Sequence, residues 1–330
     1  MTELVSIIVV AHNNWPDLEL ALESVLNQSH RNNEIVLVDN GSTDATESQV
    51  RRRYASRVRY IQQPNLHGSA GYNRGINESS GEFIQLLDGD DFIAPNKIEK
   101  QLEVFRGFPD ADIVYGDVRQ IQAGIGRPPW YDWDTTQHTD MLATLIDPPT
   151  GTAGLLPDSV LIRREAYVRV GPWDEDIISA DPDYWLRAAW AGCVFRYSPG
   201  AWSFHRRRSN SVSADSRMMV DRMEQTFEKA ATYIDREPYR SQVLARLARL
   251  RVARAATDVR LTREERIARL KSATEVSPKA VSRVARLVAY GAIMAPQIAD
   301  IARNPAFAKI RKRVGEALKL LPPRGRRWQQ

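Results

Sequence analysis

Three carboxylates crowd one short run, Leu86-Leu87-Asp88-Gly89-Asp90-Asp91. Carboxylates two apart in a turn can reach one divalent cation directly or through water. Mg²⁺ typically takes one or two of them and leaves its other positions to substrate phosphates. A plain Asp-rich turn with a helix N-cap ahead of Pro95 suits the same residues. A second acidic turn, Asp39-Asn40-Gly41-Ser42-Thr43-Asp44, offers a carboxylate able to accept a hydrogen bond from a base N–H or a ribose hydroxyl, with Gly41 open to a ligand. Alternatively, Ser42 or Thr43 caps the next helix and Asp44 favours its first turn. The third segment, Gly68-Ser69-Ala70-Gly71-Tyr72-Asn73-Arg74-Gly75, reads as a small-residue loop entering a helix and able to pack close to a ligand. It is neither a Rossmann nor a Walker glycine pattern. Arg74 there can meet a phosphate or lie solvated on the surface.

These residues need a scaffold, and the apolar periodicity describes one. Val5 to Ala11 is a continuous apolar strand buried on both faces, followed by a helix with Leu18, Leu22, Val25 and Leu26 at helical spacing. Further strands are expected at Glu34–Val38, Val58–Ile61, Phe83–Leu87 and Asp112–Tyr115, with a helix carrying Ile98, Leu102 and Phe105. This β-α-β-α-β order predicts a mostly parallel sheet flanked by helices. Ligands bind such sheets beyond the C-terminal ends of the strands, where both acidic turns fall. From Gly116 to Pro157 periodicity lapses into Gly, Pro and aromatics, including Trp130-Tyr131-Asp132-Trp133 and Pro148-Pro149-Thr150-Gly151, as in a functional loop. A strand at Ser159–Ile162 and helices at Arg164–Val170 and Pro182–Ala191 follow. After Asp215 the pattern is helical, with a frayed tail after Lys319.

The 330 residues set a prior of about two domains. Apolar residues at 43 % and charged residues at 26 % exclude a disordered chain. The lone Cys193 excludes an internal disulfide and fits a cytoplasmic protein. No basic flank precedes an apolar stretch at the N-terminus, and no apolar run approaches the ~20 residues of a membrane span. The net charge of +5 conceals an asymmetry: 26 basic and 11 acidic residues over 216–330 give +15, against −10 for the remainder. Aromatics are too sparse in that basic region for a single-strand nucleic-acid groove, so no nucleic acid is expected there. Arg246, Arg249 and Arg254, interleaved with the stripe Val243, Leu244, Leu247 and Leu250, fit either a solvated face or peripheral attachment to an anionic membrane.

The run Val5-Ser6-Ile7-Ile8-Val9-Val10-Ala11-His12-Asn13, then Val36-Leu37-Val38-Asp39 with its turn, the glycine segment and Leu86-Leu87-Asp88-Gly89-Asp90-Asp91 resemble the family 2 glycosyltransferases. The likeness continues through Gly171-Pro172-Trp173-Asp174-Glu175 and Asp181-Pro182-Asp183-Tyr184-Trp185-Leu186-Arg187, so it covers about Val5 to Ser213. It implies a GT-A fold over 1–215, with a nucleotide-sugar half at about 1–117 and an acceptor half at about 118–215, followed by a basic helical region over 216–330.

The implied activity is inverting transfer of a hexosyl or deoxyhexosyl group from a UDP-, dTDP- or GDP-linked donor to a glycan or lipid-linked acceptor, as in polysaccharide or cell-envelope glycan synthesis. Ala11, Asn13, Asp39, Gly71, Arg74 and Asp88 would line the nucleotide. Asp88 and Asp90 match the DxD motif and would hold Mn²⁺ or Mg²⁺. Asp181 matches the general base, with Asp183 sharing the assignment because Ala180 replaces the Glu of the usual pair. His205 or Arg208 would reach the metal or diphosphate, and Tyr72 stands where the family usually has Arg. A metal-dependent nucleotidyltransferase shares the carboxylate logic but would want basic residues after the first strand, where Ala11-His12-Asn13-Asn14 stands. A nucleic-acid-binding protein is the third class.

Overall fold

The computed structural model describes residues 3–122, 125–129, 140–148, 155–177, 181–206, 216–258 and 260–281. The segments with Trp130–Trp133, Thr150-Gly151, Ala180, Arg207-Arg208, Asn210–Ser213 and the tail lie outside them. Two compact units result, Met1–Ser209 and Asn210–Gln330.

The first unit is built on β1 (Val5–Ala11), β2 (Asn33–Asp39), β3 (Arg59–Gln62) and β4 (Phe83–Asp88), all mutually parallel. Next come β5 (Phe92–Ile93), β6 (Ile113–Gln122), β7 (Ile125–Pro129), β8 (Val160–Arg163) and β9 (Phe195–Arg206). They form one sheet in the order β3-β2-β1-β4-β8-β6-β9-β5, with β7 pairing β6. β8 runs against both β4 and β6, and β6 runs with β9. The C-terminal ends of β1, β2, β4, β6 and β9 therefore share one sheet edge.

Side chains alternate along β1, and each face finds its own helices. Ile8 and Val10 enter the cluster with Tyr72 and Ile76 of α3 (His67–Asn77), Ala166 and Tyr167 of α6 (Arg164–Val170), and Tyr184 and Trp185 of α7 (Asp181–Trp190). Val5, Ile7 and Val9 face α1 (Asp17–Leu26), α2 (Thr46–Tyr54) and α4 (Lys97–Gly107). Burial on both faces explains why β1 reads as an unbroken apolar run. One short helix, α5 (Met141–Ile146), is capped by Asp140, whose side chain accepts from Ala143 N at 3.0 Å.

The segment 68–75 is helix, not loop. Gly71 and Gly75 let α3 settle on β1, because a Cβ at Gly75 would lie 2.2 Å from Ile8 Cγ2 and one at Gly71 2.7 Å from Val10 Cγ1. The sequence reading also lacks β9. Its middle, Ser198-Pro199-Gly200-Ala201, looks like a turn, and the ladder to β6 jumps from Gly116↔Ser198 to Val118↔Ser203. This bulge keeps pairing on both sides. Asp117 clasps it by accepting from Tyr197 Oη at 2.5 Å and Gly200 N at 2.6 Å.

The second unit packs α8 (Ser216–Tyr233), α9 (Tyr239–Thr257) and α10 (Arg263–Val276). A capping box between Thr262 and Glu265 starts α10, and Ala248, Val252 and Ala255 meet Leu270 and Ala273. Glu224 of α8 is 1 % exposed and pairs with Arg254 at 2.9 Å, Arg251 at 3.5 Å and also Arg269. Arg254, expected on a basic face, is thus drawn inward by buried acid. Among the described residues no helix is long and apolar enough to cross a membrane.

Gly116 carries the bulge's tightest contact: a Cβ there would stand 2.1 Å from the carbonyl oxygen of Ala201. Gly116→Ala is expected to lower stability by about 1–3 kcal/mol, as overpacking does. Gly107→Ala, where a Cβ meets nothing within 4 Å, should be neutral or add up to about 1 kcal/mol. Urea unfolding of the two variants checks the contrast.

Candidate active site

Ala11 pairs with Asp39, and Val10 with Asp88, so the register sets both acidic turns side by side at the sheet edge. Asp39 is fully buried; its Oδ1 accepts from Ser42 N at 2.8 Å and its Oδ2 from Tyr60 Oη at 2.6 Å. Burial, then the bond to Asp39, raises the Tyr60 phenol, so it remains a donor. Asn13, at φ 49°, ties the two turns together: its Oδ1 accepts from Thr43 N at 2.7 Å, and its N–H donates to Ser42 Oγ at 2.9 Å. His12 donates from Nδ1 to Asn40 O at 2.8 Å, which leaves Nε2 the acceptor of the neutral ring.

Three expectations change here. What approaches Gly41, at φ 74°, is the chain itself, because a Cβ there would lie 3.2 Å from Asn65 N. Gly71 packs against Val10, where a Cβ would lie 2.7 Å from Cγ1, and beside Asn40. Arg74 sits about 100° round α3 from Gly75, on the outer face, where it pairs with Glu78 at 2.9 Å and is 52 % exposed. A residue adjacent to a sheet-packed glycine is turned away from the sheet by helix geometry.

Beyond β4 the acids converge. Tyr72, which replaces the expected Arg, donates its hydroxyl to Asp88 Oδ1 at 2.5 Å. Burial and neighbouring Asp90 push the Asp88 carboxyl up to about 6, against the lowering effect of Tyr72. Asp91 turns inward, accepting from His205 Nδ1 at 2.8 Å and from Arg206 N at 2.7 Å. Burial raises Asp91; it also opposes charge on His205, but the bond to Asp91 and the fields of Asp91, Asp158 and Asp88 win and raise the imidazole. The Arg206 guanidinium pairs with Asp17 and lies 5.5 Å over the Phe92 ring.

Among the described residues no group of three His, Cys, Asp or Glu side chains forms a ready-made metal cage. The donor set nonetheless fits a cation that takes few protein ligands and completes its shell with phosphate. The Asp88 carboxyl, raised by burial and then by Asp90, would be relieved by a bound cation, and a carboxylate holding Nδ1 of an imidazole, as Asp91 holds His205, is the usual outer-shell arrangement of a metal-binding His. Arg208, the alternative to His205, lies outside the described residues.

The start of α7 separates the two remaining acids. Asp183 is fully buried, with Oδ2 accepting from Arg187 Nε at 2.9 Å, while the same guanidinium donates to Val170 O at 3.0 Å and Pro172 O at 2.9 Å. Asp183 thereby fixes the loop ahead of Trp173. Asp181 opens the helix, and its field, with those of Asp88 and Asp158, acts on the Tyr72 hydroxyl. Asn73 clamps the same loop, donating to Trp173 O at 2.9 Å and Glu175 Oε1 at 2.7 Å, and Trp173 stacks on Tyr184 at 4.2 Å between centroids.

The structure gives Tyr72 a partner in Asp88 and adds residues absent from the sequence reading. Asp158, in a 3-10 turn over Pro157–Ser159, is 3 % exposed. Lys97 is fully buried and donates to Gln85 Oε1 at 2.5 Å and Gln101 Oε1 at 2.7 Å. One signal pointed to it: Lys97 and Gln101 stand four apart, flanked by Ile98 and Leu102 on the helix face turned to the core.

Residues 6–171 match the family described as "Glycosyl transferase family 2". An uncharacterized glycosyltransferase of Nostoc sp. is 30 % identical over 200 residues, 58 % of each chain. Across the first curated relatives, the matched stretch spans 20 % to 58 % of the relative's length. Among solved structures, the mannosyltransferase PcManGT from Pyrobaculum calidifontis, in complex with GDP-Man and Mn²⁺, superposes with TM-score 0.60 at 18 % identity, covering 97 % of this chain and 86 % of that one. S. aureus TarS 1–349 in complex with UDP-GlcNAc gives TM-score 0.59 at 17 % identity, covering 87 % and 83 %. At such identities the likeness is one of fold.

Asp88 generates a stability prediction. Its carboxyl is raised in the folded state from an ordinary 3.8 to about 6. The unfolded chain therefore ionises first as pH rises, and folding stability is lost across that window and stays lost above it. In chelator, Asp88→Asn should stabilise the protein at pH 8 by roughly 1–3 kcal/mol, at about 1.4 kcal/mol per unit, and bring no gain at pH 3.5. Melting curves at the two pH values read this, and an equal effect at both would refute the repulsion.

Proposed function

The chain belongs to glycosyl transferase family 2 and has the GT-A fold, and from that premise we propose that it transfers a sugar from a nucleoside-diphosphate donor to an acceptor hydroxyl with inversion. The observation that carries this reading is the convergence at one sheet edge of Asp39, Asp88 with Asp90, and the start of α7 with Asp181. The family match favours this over the nucleotidyltransferase reading.

Asp39 and the turn tied by Asn13 accept the base, and the Ala11 strand end lines the nucleotide. Asp88, oriented by Tyr72, and Asp90 would hold a divalent cation at the diphosphate end, with His205 as a further ligand or phosphate contact. When bound there, Mn²⁺ or Mg²⁺ supplies charge stabilisation for the departing diphosphate. Asp181 takes the acceptor's hydroxyl proton as that oxygen attacks the anomeric carbon, the C–O bond to the diphosphate breaks, and no covalent intermediate forms. Helix N-termini favour an ionised carboxylate, the form a base needs. Asp183 is committed to Arg187 and serves the loop. The acceptor we favour is a glycan or lipid-linked hydroxyl.

Titration with UDP and GDP tests the reading. Affinity should rise with Mn²⁺ and fall in chelator and in Asp90→Asn. Asp181→Asn should lower turnover ~10²–10⁴-fold, the share of a positioned base, while nucleotide affinity is kept. Asp183→Asn should chiefly lower the melting temperature. Full turnover in chelator refutes the cation's role, and turnover lost only in Asp183→Asn moves the base two residues on.

The charge balance over 216–330 supports peripheral attachment to an anionic membrane surface, where a lipid-linked acceptor would lie. Each exposed Lys or Arg contributes ~1 kcal/mol at such a surface, weakened by salt. The arginines paired to Glu224 are withdrawn from that sum. The full chain should co-sediment with phosphatidylserine vesicles in low salt and leave them in 0.5 M salt; indifference to the vesicles at low salt refutes attachment.

A further inference from the structure

Asp158 has no part in the chemistry described so far, yet it is built into the same place. Asp158 is 3 % exposed; burial raises its carboxyl, His205, Lys97 and the Ser203 hydroxyl act against that rise, and Oδ2 makes no close hydrogen bond. A buried carboxylate oxygen left unmatched costs free energy that a fold retains only for a reason. The position is also held firmly. Gln85 Nε2 donates to Asp158 O at 3.0 Å, and Gln101 Nε2 donates to Ser159 O at 2.9 Å. Both glutamines are oriented by the buried Lys97 ammonium, which donates to their side-chain oxygens. Burial drives this ammonium toward its neutral form, and the field of Asp158 draws it back.

Asp158 is close to the site. Its field acts on Tyr72, Asp88, Asp91 and His205, groups contributed by α3, β4 with the turn after it, and β9. Its place along the sheet edge also matters. The pairs Gln85↔Leu161 and Tyr115↔Val160 put the approach to β8 between β4 and β6. Because β8 runs against β4, the 3-10 turn with Asp158 just ahead of β8 lies at the end of the sheet where β4 finishes at Asp88. In the strand order β2-β1-β4-β8 that edge presents Asp39, then beyond β1 Asp88, then the turn with Asp158. A nucleoside-diphosphate sugar is a linear string of base, ribose, diphosphate and sugar. With its base at Asp39 and its diphosphate at Asp88, the next group along the edge is the sugar.

We infer that Asp158 is a specificity-determining residue of this site, accepting a hydrogen bond from a hydroxyl of the transferred sugar through its unmatched Oδ2. The inference rests on the donor reading above. It makes Lys97 a positioning residue, which acts through Gln85 and Gln101 and never meets the sugar. A carboxylate accepting from a hydroxyl forms a charge-assisted bond in a site screened from water. The loss of one such bond corresponds to about 10- to 100-fold in affinity.

Competition binding with Mn²⁺ present separates the possibilities. The probes are UDP, GDP and dTDP, each beside UDP-glucose, UDP-N-acetylglucosamine, GDP-mannose and dTDP-rhamnose. For the preferred donor, Asp158→Asn should weaken the nucleotide sugar at least tenfold while the parent nucleoside diphosphate stays within about twofold. Selectivity among sugars on that nucleotide should narrow. Asp158→Ser, smaller and uncharged, gives the same reading should the asparagine variant fail to fold. An unchanged ratio of sugar to diphosphate affinity overturns the role of Asp158. A parallel loss of both affinities also overturns it, by making the residue structural. If the unaltered protein binds none of the nucleoside diphosphates, the donor reading falls first and takes this one with it.

Discussion

Carboxylates held close together with little water around them are the constraint around which the first unit is arranged. Asp91 and Asp158, buried, and Asp88 and Asp90, half-buried, gather at one sheet edge, and at an effective dielectric near 20 two unit charges about 4 Å apart repel by ~4 kcal/mol. Three of them meet different answers. Tyr72 gives Asp88 a hydroxyl, His205 gives Asp91 an imidazole, and Lys97 sets a positive charge beneath Asp158. These answers come from α3, β9 and α4, elements distant in sequence, so compensating the acids requires the sheet to be complete.

That requirement explains features that look arbitrary one at a time. β9 must carry His205 and Arg206 to Asp91 while keeping its ladder with β6, and the bulge at 198–203 takes up the surplus residues. The bulge presses Ala201 against Gly116, so the glycine is a consequence of where the histidine has to be. Phe92 stacks on Phe204 at 4.7 Å, and β5 pairs with β9 directly after the acidic turn, which closes the sheet around the cluster. The site is thus assembled by long-range contacts, and local sequence preference alone could not form it.

The same logic sets the limit of what could be read from the chain. β1, α6 and the parallel β1–β4 core were legible because apolar period and burial agree there: Arg164–Val170 is a helix of the expected bounds, and β1 is buried throughout. Asp39 and Asp88 were legible as strand-end carboxylates because strand ends are marked locally, and they close β2 and β4. β9 was hidden because Pro199-Gly200 reads as a turn, and only pairing with β6 keeps it extended. The faces of Arg74 and Gly71 are not legible in the sequence, because a small-residue loop assigns none, whereas α3 turns Arg74 to solvent and Gly71 onto β1. Net charge misled in another way. Counting arginines over 216–330 cannot reveal that Glu224 is buried among three of them, since a pairing partner is a property of packing.

Asp181 and Asp183 show how neighbouring identical residues come to differ. Residues two apart on a helix lie on different faces, so one may enter the core only if the other does not. Position 183 points inward, and a carboxylate there is tolerable because Arg187, one turn on, reaches it while also satisfying the carbonyls of Val170 and Pro172. Breaking such a buried pair costs ~3–5 kcal/mol, so Asp183 is tied to stability. Position 181 keeps a rim placement at the positive end of α7, near Tyr72. The surroundings of each acid follow from the helix turning by about 200° between them, which sends one carboxylate to a buried guanidinium and keeps the other at the start of the helix.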